Sequence, residues 1–260
     1  MKIIDLSLPL ESLKSDPRLL RNKVVYQGHR FGALAIRLMY GLPRRLLPRG
    51  LGWANETIHL STHGTTHMDA PYHYGPTSEG KPARTIDQVP LEWCFSDGVV
   101  LDMTHKENGE VITVEDLQAE LDRIEYALKP LDIVLIRTGG DAYYGTPEYF
   151  TRGTGMGRAS TLWLVAQGVK VIGIDAWGFD IPLQIQADRA KRANDPHIFW
   201  EAHFAGTERE YCQLERLAHL DRLPPHGFKV SCFPLNIPGA GAGPARVVAL
   251  LENEEEAARA

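Results

Sequence analysis

The chain has 260 residues, a formal charge of −5 and 43% hydrophobic residues, enough to bury the core of one large domain. The acidic balance leaves no overall basic field for nucleic acid, and no apolar stretch approaches the ~20 residues needed to span a bilayer. No signal-peptide h-region follows Met1, and Cys94, Cys212 and Cys232 are odd in number and widely spaced, so a cytoplasmic protein with buried thiols is expected, not a disulfide framework.

Lys2 to Ser7 reads as a short apolar strand. Between Asp16 and Glu56 stand no acidic residues but eight basic ones, Arg18, Arg21, Lys23, Arg30, Arg37, Arg44, Arg45 and Arg49. The stretch Gly41 to Gly50 mixes Pro and Gly with leucines, so residues 18–52 are expected to form an irregular basic arm. Such an arm would lie on a surface, contact a second subunit or cover a substrate pocket.

Thr57 to Thr62 is a second strand. It leads into His63-Gly-Thr-Thr-His67-Met-Asp69-Ala-Pro-Tyr-His73, three imidazoles and a carboxylate in eleven residues. All four occupy odd positions, which an extended segment projects from one face. Gly64, the two threonines and Pro71 oppose a helix, so the run reads as a strand end or tight loop presenting His63, His67 and Asp69, with His73 close by. One HxxxH arises by chance in many chains, but here four of ten histidines, counting His59, fall within fifteen residues. Neutral imidazole and carboxylate suit zinc, manganese or iron.

Gly98 to Met103 is a third strand. Thr113 to Tyr126 has helical spacing, with Thr113 as N-cap and Asp116 at the third helical position. Leu131 to Thr138 is a continuous apolar run after Lys129-Pro130, the mark of a strand buried on both faces, and implies a central sheet. An aromatic loop follows with Tyr143, Tyr144, Tyr149 and Phe150, then Gly153-Thr-Gly155-Met-Gly157. The spacing is not GxGxxG and a long loop separates it from the preceding strand, so a flexible pocket wall at a helix N-terminus is expected there rather than a dinucleotide site.

Arg158 to Gln167 is a helix closed by Gly168, followed by a strand from Val169 to Ile174 that ends at Asp175. Asp180 to Asn194 is polar and helix-prone, and His197 to Ala205 continues as helix or loop carrying Trp200 and His203. Tyr211 to Leu217 alternates as a strand with Tyr211, Gln213 and Glu215 on one face. A Pro-Gly-rich turn, Pro238 to Pro244, precedes a last strand from Arg246 to Leu251, and residues 252–260 form an acidic tail expected to be frayed or disordered.

These residues resemble, over most of the chain, the cyclase family of metal-dependent hydrolases that includes bacterial kynurenine formamidases and isatin hydrolases. The family spacing HxxxHxDxxxH is met by His63, His67, Asp69 and His73. In the formamidases a downstream His and a Glu twelve residues later complete the site, an interval reproduced by His203 and Glu215. Ile4-Asp5-Leu6-Ser7, Val89-Pro-Leu91, the segment Gly168 to Asp175 and the closing Pro-Gly-x-Gly-x-Gly-Pro-Ala-Arg246 loop echo the family in the same order. Two features depart from it: Gly64 directly follows His63 where the family has HxGTH, and the basic stretch after Arg18 looks like an insertion relative to the short formamidases.

The resemblance implies an α/β fold, a single swivelling β/β/α domain over residues 1–251 with a mixed central sheet. It further implies one metal held by His63, His67 and Asp69, a second position bridged by Asp69 and completed by His203 and Glu215, and a catalytic His73. One or two divalent ions, Zn2+ or Mn2+, would activate water against an amide or lactone carbonyl, and an imidazole able to exchange a proton near pH 7 would help the nitrogen leave. The expected enzyme is an amidohydrolase cleaving an aryl formamide such as N-formylkynurenine, a step of tryptophan catabolism, with ring opening of a cyclic amide or lactone close behind. Among Trp53, Tyr72, Tyr74, Trp93, Trp177 and Trp200, which could form a slot for an aryl substrate, Trp53, Tyr72, Tyr74 and Trp177 are the candidate contacts. A homodimer or tetramer acting on a small molecule, without nucleic acid or membrane, is expected. Rival readings are a mononuclear iron oxygenase using His67, Asp69 and His203, and a non-catalytic metal-binding protein.

Overall fold

The apolar run after Lys129-Pro130 becomes a strand, Ile133–Arg137, with four of its five residues buried. Parallel neighbours pair both of its edges, and apolar clusters cover both of its faces. It lies at the middle of a nine-stranded mixed sheet in the computed structural model, which describes residues 1–15, 18 and 21–252. In chain order the strands are β1 (Lys2–Asp5), β2 (His67–Asp69), β3 (Phe95–Asp102), β4 (Ile133–Arg137), β5 (Val171–Ile174), β6 (Cys212–Glu215), β7 (Phe228–Ser231), β8 (Ala242–Pro244) and β9 (Val248–Leu251). Their order across the sheet is β1-β9-β7-β3-β4-β5-β6-β2-β8. β3 to β6 are parallel, and antiparallel strands flank them on both sides. The expected acidic tail lies, beyond Glu252, outside the described residues.

The two faces of the sheet bury separate apolar clusters, as period-2 alternation requires. Val100, Ile133, Leu135, Val171, Cys212 and Leu214 lie in one, beside Trp93 and Cys232. Val99, Leu101, Val134, Ile136, Ile172 and Ile174 lie in the other, against Leu117 and Leu121 of one helix, Val114–Arg123, and Leu164 of another, Arg158–Ala166. The expected capping box forms: Thr113 Oγ1 accepts from Asp116 N and Asp116 Oδ2 accepts from Thr113 N at 2.8 Å. The three cysteines are buried and unbridged.

The sheet structure from Met1 to Pro9 and from Thr65 onward forms one compact unit, and Leu10–Gly64 forms a second. The basic segment expected to be an irregular arm contains, within that second unit, a helix at His29–Tyr40 beside an antiparallel ribbon of Lys23–Gln27 and Asn55–His59. Gly41 ends the helix in the left-handed conformation with φ 67°. Only the stretch after it, where Pro and Gly are dense, is built from short 3-10 turns. Gly32 and Gly52 make the tight packing possible, since a Cβ on Gly32 would lie 2.0 Å from Trp53 O and one on Gly52 2.3 Å from the Gly32 carbonyl carbon.

Asp175, just past β5, closes the adjacent loop after β4. Its Oδ1 accepts from Thr138 N at 2.7 Å and Thr138 Oγ1 at 2.6 Å, and its Oδ2 from Gly139 N at 2.9 Å. Burial outweighs these bonds and pushes its pKa up to about 6. The unfolded carboxyl gives up its proton near 3.8, so between about pH 4 and pH 6 the folded state holds the extra proton and stability falls as pH rises. We expect the stability difference between wild type and Asp175→Asn to shift by roughly 2–3 kcal/mol across that interval. Parallel denaturation curves for the two proteins at pH 4, 5, 6 and 7 would contradict it.

Candidate metal centre

The three residues of β2 are all buried and alternate. Met68 enters the apolar cluster on one face, so His67 and Asp69 project from the other. The antiparallel register sets His67 opposite Glu215 of β6, and directly opposed residues meet across a ladder. His67 Nε2 lies 3.2 Å from Asp69 Oδ1 and 3.5 Å from Glu215 Oε2. These three side chains each offer a ligand atom, all within 4.8 Å of one another.

His73 arrives differently from expectation. The extended run ends at Asp69, and Pro71 opens a helical turn, Pro71–Tyr74, with His73 N donating to Ala70 O at 2.9 Å. His73 therefore stands on a turn rather than on an alternating strand, with Nε2 3.9 Å from Asp69 Oδ2 and a partly exposed ring. His203 comes from the helix Glu201–Glu208, with Nε2 3.5 Å from Glu215 Oε1.

The outer nitrogen of each buried imidazole is engaged. His67 Nδ1 donates to Thr65 O at 2.7 Å, since a carbonyl can only accept, which leaves Nε2 as the lone-pair nitrogen facing the carboxylates. His203 Nδ1 is hydrogen-bonded to Asp180 Oδ2, and Asp180 Oδ1 accepts from Ala202 N at 2.8 Å. Glu215 Oε1 accepts from Phe179 N at 2.8 Å. Burial opposes charging His67, yet Asp69 and Glu215 outweigh it and raise its pKa; burial likewise opposes charging His203, and Asp180, Glu215 and Asp69 raise it. The pocket thus favours positive charge, and the donor set of two imidazoles and two carboxylates fits a divalent ion.

Asp180 is the partner that spacing could not reveal. It lies in a loop far from the histidine run, and only folding brings it to His203. The glycines read as a pocket wall support it: a Cβ on Gly155 would fall 2.2 Å from the Asp180 carbonyl carbon, and Met156 bridges to Asp180. The segment Gly155–Met156 is a buried strand pair with Val111–Ile112, not a loose wall. Asp180→Asn should weaken metal affinity about 10–100-fold with the fold retained, read by competition against a chromogenic chelator. Unchanged affinity would remove Asp180 from the site.

The aromatic candidates divide. Trp200, in the left-handed conformation with φ 65°, stacks on His203 at 4.4 Å and 11° and sets its edge to His73 at 5.2 Å. Tyr74 is buried, stacked on Tyr211 at 5.2 Å, and packs beneath the histidines. Tyr72 is exposed, Trp93 is buried, and Trp177 lies under Arg216. Trp53 and His63 belong to the second unit. Trp53 is exposed, and His63 sits in a turn closed by Gly64 N donating to Ser61 O at 2.9 Å. His67 follows His63 by four positions, a span of at most ~14 Å.

The family model described as "Putative cyclase" matches residues 4–181. The chain belongs to the cyclase family. The match ends at Ile181, so the places of His203 and Glu215 rest on the geometry above. No curated protein matches the sequence. Among solved structures, isatin hydrolase A from Labrenzia aggregata, bound to benzyl benzoate, is 21% identical with a TM-score of 0.72, covering 97% of this chain and 94% of that one. Isatin hydrolase A from Ralstonia solanacearum is 22% identical with a TM-score of 0.74, over 96% and 92%. A predicted metal-dependent hydrolase from Bacillus stearothermophilus is 18% identical with a TM-score of 0.61, over 95% and 97%. This cyclase-family chain shares their α/β fold, and none of its described helices is long and apolar enough to cross a membrane.

Proposed function

We propose that this chain is a metal-dependent amidohydrolase acting on a small aromatic molecule. The observation that carries the reading is the buried cluster of His67, Asp69 and Glu215, joined by His203, with each imidazole's outer nitrogen engaged and its inner one turned to a carboxylate. His63, by its spacing, completes the ligand set, and the ion, Zn2+ or Mn2+, binds at one or two positions. When bound, such an ion supplies Lewis acidity to the carbonyl and acidifies water.

The rest falls to the chain. Hydrolysis adds hydroxide to the carbonyl carbon and a proton to the departing nitrogen, and His73 is the residue that delivers this proton. Its ring is open enough to exchange with solvent, and Asp69 and Trp200 hold its direction. The Trp200 ring stacks on His203 and covers that face of the imidazole.

Ring opening of a cyclic amide is the leading substrate reading, supported by solved isatin hydrolases that align over more than nine-tenths of both chains. Cleavage of an aryl formamide such as N-formylkynurenine, within tryptophan catabolism, is the second, favoured by the His203–Glu215 contact at the formamidase interval. Anaerobic turnover of isatin and N-formylkynurenine, by chelated protein reconstituted with zinc or manganese, decides between them. Cleavage of neither with metal bound would sink the reading, and turnover that requires oxygen would favour an iron oxygenase. Light scattering on the same preparation tests the expected homodimer or tetramer.

A further inference from the structure

Beside the carboxylate-rich cluster lies a group of donors with the opposite character. Arg216 directly follows the ligand Glu215 and is buried, 6% exposed. Its backbone is left-handed at φ 59°, an uncommon conformation for a residue with a side chain. It is held there by Arg216 N donating to Ala176 O at 3.0 Å and by Thr66 Oγ1 donating to Arg216 O. The twist breaks the alternation of β6 and lays the guanidinium over the Trp177 ring, 5.1 Å from its centroid. Trp177 meets Phe150 edge-on at 5.4 Å, and Phe150 in turn meets Tyr149 at 6.1 Å.

Three buried atoms of this group, Arg216 Nε, Trp177 Nε1 and Tyr149 Oη, have no hydrogen-bond partner among the described residues. Arg216 pairs with no carboxylate among them either. The acids nearby are engaged elsewhere: Asp175 with Thr138 and Gly139, Asp141 with His219 N, and Glu215 with Phe179 N. Guanidinium and indole can only donate, and burial holds the Tyr149 phenol well above its ordinary pKa, so it too keeps its proton. A buried cation without a counter-ion is expensive, and a planar guanidinium is shaped for a carboxylate. Trp177 stands two residues before Phe179, whose N–H binds Glu215 Oε1 at 2.8 Å, and this sets the group beside the metal ligands.

We propose that Arg216, Tyr149 and Trp177 form an anion subsite beside the metal centre, which selects substrates carrying a carboxylate apart from the carbonyl that is cleaved. This deepens the hydrolase reading and rests on it for the word substrate; the subsite itself is testable by binding alone. The probes are benzoate and its neutral isostere benzamide, titrated calorimetrically into metal-loaded wild type, Arg216→Gln, Arg216→Lys and Tyr149→Phe, with metal content assayed in each.

Wild type should favour benzoate by roughly ten- to hundredfold. Arg216→Gln should abolish that preference at unchanged metal content, Arg216→Lys should restore part of it, and Tyr149→Phe should lower it several-fold. A preference that persists in both Arg216→Gln and Tyr149→Phe places benzoate on the metal and overturns the subsite, as does an equal loss of both probes or no preference in wild type. Should Arg216→Gln not fold, Tyr149→Phe and Trp177→Phe give the same reading. A kinetic arm compares N-formylanthranilate with N-formylaniline. Failure to cleave either of these, or isatin, with the benzoate preference intact would defeat the hydrolase reading and leave the subsite standing.

Discussion

Asp69→Asn is expected to strip the protein of its metal and of turnover together. Asp69 is fully buried, and its two oxygens face different histidines: Oδ1 is 3.2 Å from His67 Nε2 and Oδ2 is 3.9 Å from His73 Nε2. An amide keeps the shape but loses the charge, and it replaces one acceptor oxygen with a donor nitrogen. Affinity should fall by more than the 10–100-fold typical of a residue that only orients a ligand. Metal content after dialysis and the melting temperature measured together make the outcome decisive. A folded variant with wild-type metal content would remove Asp69 from the ligand set and with it the proposed centre.

The second large effect separates chemistry from binding at His73. His73→Gln should keep the metal and lower turnover roughly 10²–10⁴-fold, the range for loss of a positioned acid or base. The contrast with Asp69 comes from geometry, because His73 is the histidine on a partly exposed turn and its Nε2 stands at a longer distance from the carboxylate. An activated ester of the same acyl group, whose leaving group needs no proton, should lose far less than the amide. Equal losses on both substrates would take the proton transfer from His73, and loss of metal would make it a ligand.

Much of the framework was legible along the chain. The run from Leu131 to Thr138, the capped helix after Thr113, the Gly168 helix end and the strand leading to Asp175 all carry local signals, and all are present with their ends within three residues. The helix at His29–Tyr40 was obscured because the breakers that follow it dominate the segment. Alternation puts the odd residues on one face and the breakers oppose helix, so the run reads as a strand end or tight loop with His73 only close by, and the helical turn under His73 is hidden. Pro71, which opposes the interior of a helix, is well suited to the first position of one, and that is where it stands.

By itself the sequence determined the chemistry available: a concentrated set of imidazoles and carboxylates at family spacing, on a chain with enough apolar residues to bury them. Only the tertiary structure decided which of them meet. Glu215 reaches His67 because a short antiparallel strand docks on the last parallel one in a single register, and such long-range pairing leaves no trace in local periodicity. The same holds for Asp180 behind His203 and for Arg216 over Trp177. Each contact joins segments distant along the chain, and each exists because burial leaves a polar or charged group no water to turn to.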